Sequence, residues 1–437
     1  MALISSLFLG ASSANASVKA KGTVTVWIQG DAKSWPAAID RANRMFNSKY
    51  PNVKVDIQYQ TWGESLKKLD AALVAGNTPD VFEFGNTQVL KYSAAGALKD
   101  ISSSKSRFAY STNWLKGLEE AGSYDGKLYA VPYYAGSRAV MYRTDLFTSL
   151  KIKAPRTYEQ FTAAADKLMA ANSSNSKFSA VYMPGKYWYA AMGFVYDSKG
   201  AIAVQEAGKW KGSLDSAASI EGLTRWKNIV DKYSKADKSG DEGGQWEVFA
   251  GGNVAMSYSN GWETCCIAPQ KGAFFPMPSI RAGEYMPAFL GGSNLGVPAK
   301  SKNPDWGVYW IKSFTSGQAM REIVKAGNLP NNTSMLTLVK GGNKQVGHDA
   351  NRINNVVATS HANNTVAGIA GGAGHGTYHM VSRDGGRDDM PGAAHWQHCG
   401  ATGNHATHAA RGNGYPPQAL AGRAPGCWPC DKMAIRD

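Results

Sequence analysis

GNTPDVFEFGNTQ (residues 76–88), AAGALKDIS (94–102) and YDGKLYAVPYYAGSRAVMYRTDLF (124–147) follow one another in the first third of the chain. A turn of small residues leads into a short apolar strand, Val81–Phe84, which ends in the polar groups Asn86 and Gln88. An aromatic strand then runs on through Tyr133 and Tyr134 to Arg138, as a strand does when it leaves one sheet for another. Upstream, Val24, Val26 and Ile28 alternate with Thr23, Thr25 and Trp27, and Val53, Val55, Ile57 and Tyr59 alternate in the same way. Period-two alternation of this kind predicts strands. Between them, Pro36 opens a helical run with Ile39, Ala42, Met45 and Phe46 on one face, and Leu66, Leu69 and Leu73 place a second helix over 65–75. Strand, helix and strand in alternation predict a mainly parallel sheet covered by helices, an α/β fold. Further helices are expected after the capping pair Thr157 and Gln160, over 216–233, and after Pro304.

In open parallel sheets, ligands bind beyond the carboxyl ends of the strands. Three such ends deliver Trp27 and Gln29, then Glu83, Asn86 and Gln88, then Asn260 and Trp262. The cluster Tyr187-Trp188-Tyr189 adds aromatic faces, and Tyr134, Arg138 and Asn294 add polar arms. Flat apolar faces with planar hydrogen-bonding groups suit a pyranose ring and its hydroxyls. The 13 Trp and 20 Tyr are rich for 437 residues and fit that chemistry as well as they fit large cores. The candidate ligand-binding set is therefore Trp27, Gln29, Glu83, Asn86, Tyr134, Arg138, Trp188, Trp262 and Asn294.

Other functions find little footing. The formal charge of +14 comes from Lys and Arg scattered singly, with no basic run, so no nucleic-acid partner is expected. There is no GxxxxGK[ST] loop, GxSxG elbow or HExxH helix. All eight His lie at or after His348, which removes a His-based triad from the legible fold. No pair of carboxylates is singled out for glycoside hydrolysis, so no catalytic residue is expected. Cys427-Trp-Pro-Cys430 lacks the strand and helix of a redox site and the second ligand pair of a zinc site, so neither metal nor cofactor is expected. Cys265-Cys266 reads as two small buried residues or as a strained vicinal pair. MALISSLFLGASSANA (1–16) reads as a signal peptide cleaved before Ser17, without a basic n-region and without a Cys for lipid attachment.

Eight segments arrive in a recognisable order: TVTVWIQG (23–30), FNSKYPNVKVDIQYQ (46–60), PDVFEFGNTQ (79–88), YAVPYYAGSRAVMYRTDLF (129–147), PRTYEQF (155–161), FAGGNVAMSYSNGW (249–262), GGSNLGVPAKSKNPDWGVYWIKSFTSG (291–317) and GNLPNN (327–332). Residues 22–335 thereby resemble the extracellular solute-binding proteins, family 1, of sugar-importing ABC transporters, with the nearest likeness to actinobacterial binders of chitobiose-like oligosaccharides. The resemblance implies a two-lobed periplasmic-binding-protein fold, type II-like, with hinge strands and a ligand cleft between the lobes. The first lobe would comprise 17–130 with about 280–330, and the second 131–279. It further implies a non-enzymatic, monomeric, exported protein that passes an oligosaccharide to permease subunits. A secreted lectin-like protein with no transport role is the alternative.

From residue 341 the composition changes to Gly, Ala, His and Arg, with Leu only at Leu420 and no periodicity. A His-rich metal-binding tail, a disordered tail and a change of reading frame near Leu338 all fit that composition. The frame change fits best, because the resemblance calls for helices there that complete the second lobe. A binder lacking them would be the damaged product of such a change.

Overall fold

The computed structural model describes residues 19–206, 209–241, 245–260, 272–336 and 338. The expectations for the signal peptide, Trp262, Cys265-Cys266 and the tail lie outside these residues, as does that for the side chain of Asn260. The principal elements run β1 (Gly22–Gln29), α1 (Pro36–Lys49), β2 (Val53–Gln60), α2 (Ser65–Ala75), β3 (Val81–Gly85), β4 (Ala130–Gly136), β5 (Arg138–Arg143), α3 (Tyr158–Ala171), β6 (Ser179–Tyr182), α4 (Trp188–Asp197), α5 (Ala217–Tyr233), β7 (Val254–Asn260), β8 (Gly272–Phe275), β9 (Gly291–Gly296), α6 (Pro304–Phe314), α7 (Gly317–Lys325) and β10 (Leu329–Pro330).

The first sheet has strand order β10-β4-β9-β3-β1-β2. Its half made of β3, β1 and β2 is parallel, while β9, β4 and β10 pair antiparallel. The predicted alternation of β1 is realised: Val24, Val26 and Ile28 are fully buried against α1 and α6, beside Phe46, Trp310 and Phe314. The opposite face is covered as well, with Phe82 and Phe84 packed on Leu69 of α2 and on Tyr92. A sheet covered on both faces explains why β3 is an unbroken buried run rather than an alternating one. Helix α2 stops at Gly76, whose φ of +70° is a left-handed cap that a Cβ would resist.

The second sheet, β8-β5-β7-β6, has one face on a core built from Phe161, Phe178, Phe194, Trp226 and Phe275. Thr157 caps α3 as predicted, its Oγ1 accepting from Gln160 N at 3.2 Å. The return bond runs one residue further back than a standard box, from Arg156 N to Gln160 Oε1 at 2.9 Å.

Each sheet is assembled from distant segments, and the chain crosses between them at Ser137 and again over 276–290. The sequence places the first crossing near residue 130; in the structure Ala130–Gly136 remains paired in the first sheet, because β9 and β10 flank it there. A third apolar cluster joins the sheets: Ala135 and Leu329 from the first meet Ala139, Met141, Val254 and Phe274 from the second, with Leu118 and Leu336.

Candidate ligand-binding site

Strands β1, β2 and β3 end side by side, with Gln29 opposite Gln60. Beyond those ends lie a tight turn at Gly30–Ser34, a loop carrying Trp62, and a second turn at Asn86–Gln88. Trp62 is 40% exposed, yet it is held in place. Its indole N–H donates to Asp31 Oδ2 at 2.8 Å. Its ring lies against Gly85, where a Cβ would come within 3.7 Å of it. Gln88 Oε1, which accepts from Gly85 N at 3.0 Å, closes the other side of that glycine. An aromatic face is thus fixed and open to solvent at the carboxyl edge of three parallel strands.

Below this platform the polar groups are buried. Gln29 N donates to Glu83 Oε2 at 2.9 Å, and Gln29 Nε2 donates to Ser65 Oγ at 3.1 Å. Burial pushes the Glu83 carboxyl up to about 8; the charge of Asp31 adds to the shift, while the Gln29 N–H and the nearby Ser293 hydroxyl oppose it. Tyr133 and Tyr134 are held well above the ordinary phenol range, first by burial and then by the neighbouring Glu83 charge. Tyr133 Oη accepts from Trp35 Nε1 at 2.6 Å, and the Tyr134 ring stands edge-on to Trp35 at 5.8 Å.

On the side of the second sheet, Arg138 Nε donates to Tyr187 Oη at 2.9 Å, with the guanidinium 4.7 Å from the Tyr189 ring centre. Trp188 and Tyr189 stack at 3.8 Å, and both present their rings to the edge of Phe289, at 5.5 and 5.0 Å. Trp188 is half-buried against the second core.

The structure therefore sorts the predicted site residues into groups. Gln29, Glu83 and Tyr134 come together as a polar floor among the strand ends, Gln29 N donating to Glu83 and Tyr134 lying within reach of the Glu83 charge. Arg138 and Trp188 gather around Phe289, and Asn86 reaches the same segment by donating to Leu290 O at 2.9 Å. Trp27 and Asn294 point elsewhere. The alternation of β1 turns Trp27 onto the α2 side, 6.2 Å from Phe82 and packed beside Leu66 and Leu73. Asn294 is fully buried and donates Nδ2 to Leu118 O at 2.8 Å, tying β9 to the helix at Lys116–Ala121. Trp62 and Asp31 were missing from the sequence set. The rule that supplied the other candidates covers them, since Thr61-Trp62-Gly63 is the turn that closes β2.

Residues 42–349 match the family described as bacterial extracellular solute-binding protein. The chain belongs to this family. This solute-binding protein is 30% identical over 331 residues to the diacetylchitobiose binding protein DasA of Streptomyces coelicolor, a match covering 73% of this chain and 75% of that one. The GacH receptor of Streptomyces glaucescens, solved unliganded and with acarbose, superposes with a TM-score of 0.64 at 22% identity, covering 83% of this chain and 98% of that chain. A Thermotoga lettingae solute-binding protein bound with α-D-tagatose gives 0.64 at 19% identity, covering 83% and 94%. The fold is thus the two-lobed one with a cleft between the lobes, each sheet forming the centre of one lobe. Among the described residues, no helix of the solute-binding protein is long and apolar enough to cross a membrane. Nor do three His, Cys, Asp or Glu side chains among them form a metal site.

Proposed function

We propose that this solute-binding protein captures an oligosaccharide between its lobes and delivers it to the permease subunits of an ABC importer. It acts as an exported monomer outside the membrane, without catalysis, metal or cofactor, and with no nucleic-acid partner. The observation that carries the proposal is Trp62: an exposed indole, oriented by Asp31, at the carboxyl edge of the parallel strands of a solute-binding fold. Its ring face suits the C–H face of a pyranose, and Asp31 beside it suits a hydroxyl pair. Trp188 and Tyr189 supply the facing aromatic wall from the second lobe, and Trp262 is retained in the set on its position in sequence. Gln29, Glu83 and Tyr134 support the floor. The first lobe comprises 22–136 with 291–336, and the second the described residues between 138 and 275. Ligand favours closure because the closed form alone brings both walls onto the sugar. The name of the relative DasA makes diacetylchitobiose the first compound to try.

The test is thermal unfolding of the purified protein against a panel of chito-, cello-, xylo- and malto-oligosaccharides. A ligand at about 100 times its Kd adds about 2.7 kcal/mol, a shift of several degrees. A cooperative transition unmoved by every member of the panel would refute oligosaccharide capture.

A further inference from the structure

Two crossings between the lobes lie side by side. Gly136, at the end of β4, is paired with Gly291, at the start of β9. Gly292 has a φ of +130°, and a Cβ there would fall 2.2 Å from the Tyr134 carbonyl oxygen, so this close approach of β9 to β4 depends on glycine. Just before it, two successive carbonyls are held from opposite lobes. Asn86, on the turn after β3 in the first lobe, donates Nδ2 to Leu290 O at 2.9 Å. Arg138, the first residue of β5 in the second lobe, directs Nη1 to Phe289 O at 3.4 Å. The Phe289 ring is then flanked by Trp188 and Tyr189 of the second lobe. Further upstream, the same crossing is fastened to the second lobe by buried Asp197, which accepts from Ser279 Oγ at 2.6 Å and from Ile280 N at 3.2 Å.

The backbone up to Phe289 is therefore bonded to one lobe and that from the Leu290 carbonyl onward to the other, while the Leu290 side chain lies in the apolar cluster that joins the sheets. A change in the angle between the lobes falls on the peptide between them and on its neighbour across the pair, Ser137. We propose that Asn86 and Arg138 are positioning residues of this hinge. They set the resting angle of the lobes by anchoring Leu290 and Phe289. The aromatic wall of Trp188 and Tyr189 rests on Phe289, so a ligand pressed against that wall acts on the hinge directly. This last step rests on the oligosaccharide reading; the anchoring itself does not.

The experiment compares wild type, Asn86→Ala, Asn86→Gln, Arg138→Lys and Trp62→Ala, all as full-length protein. Each is measured by deuterium uptake across 276–292, by the radius of gyration in solution without sugar, and by association and dissociation rates with the oligosaccharide that stabilises wild type. Asn86→Ala and Arg138→Lys should speed exchange of the 289–292 amides about tenfold, the scale of one lost hydrogen bond. Both should also change the unliganded radius of gyration, and Asn86→Gln, which keeps an amide donor, should restore both values at least in part. Trp62→Ala should leave exchange and radius unchanged while speeding dissociation. Unchanged exchange and radius in both Asn86→Ala and Arg138→Lys would overturn the proposal, whether or not their affinity falls. Arg138→Lys keeps the charge and provides the second reading should Asn86→Ala fail to fold. The hinge measurements need no sugar, so a wild type that binds none of the panel would refute oligosaccharide capture and still leave the anchoring decided.

Discussion

Replacing Glu83 by Gln should abolish a loss of stability that otherwise grows as the pH rises. The carboxyl is 1% exposed, and its ionisation is raised from 4.5 to about 8, chiefly by burial. In the unfolded chain it loses its proton near the lower value. Between these two pH values the folded protein binds a proton that the unfolded chain has released, so stability falls with rising pH. The contribution is complete below about pH 4.5 and gone above about pH 8. A shift of roughly 3.5 units at about 1.4 kcal/mol each amounts to as much as about 5 kcal/mol. Gln at this position keeps an oxygen to accept from the Gln29 N–H and has no charge to bury. Scanning calorimetry of both proteins from about pH 4.5 to about pH 8.5 reads the difference. The two melting temperatures should lie close together at the acid end, with the variant higher by roughly 10 °C at the alkaline end. A gap independent of pH would refute the assignment of a neutral carboxyl to the floor of the site.

Trp62→Ala should weaken oligosaccharide binding about tenfold without altering the melting temperature of the free protein. Covering on the order of 60 Å2 of indole is worth about 1.5 kcal/mol, and titration calorimetry measures it. Asp31→Ala, which frees the indole from its 2.8 Å bond, should cost a smaller factor in affinity in the same assay and leave the fold intact. Asp197→Ala should destabilise by about 3–5 kcal/mol, because Arg225, 3.0 Å away, and Arg281 lose a fully buried partner; a denaturant titration reads it. Gly122→Ala should cost about 1–3 kcal/mol in the same titration, since its Cβ would fall 2.2 Å from Ala130 O and 2.8 Å from Asn294 Nδ2.

The parts of the fold that could be read in advance are those where apolar spacing alone decides the outcome. Val24, Val26 and Ile28 had one face to choose and took it, and Leu66, Leu69 and Leu73 placed α2 over 65–75. Pairing partners were less legible. Nothing local in Ala130–Gly136 shows that the strand stays in the first sheet, because the partners that hold it there, β9 and β10, come more than 150 residues later. Tyr59 also departs from its pattern. It alternates with Val53, Val55 and Ile57, yet it is 41% exposed, because β2 is an edge strand. There it meets the ammonium of Lys33, 5.1 Å from its ring centre.

The site is harder to read for a chemical reason. An amide or guanidinium at a strand end is equally suited to a sugar hydroxyl and to a backbone carbonyl, since both are oxygen acceptors seeking a planar donor. Asn86, Arg138 and Asn294 all fit the first description, and all three direct donors to the carbonyls of Leu290, Phe289 and Leu118. A crossing between sheets interrupts the strand ladder and leaves carbonyls such as those of Leu290 and Phe289 to be satisfied by side chains. Polar residues therefore collect at a hinge for the same reason that they collect at a ligand site, and in a two-lobed binder the two places are adjacent. Exposure separates them. Trp62, 40% exposed, has a face left for a ligand, while Glu83 and Asn294, at 1% and 0%, have none. Local sequence does not encode that distinction, because it is set by which distant segment covers each strand end.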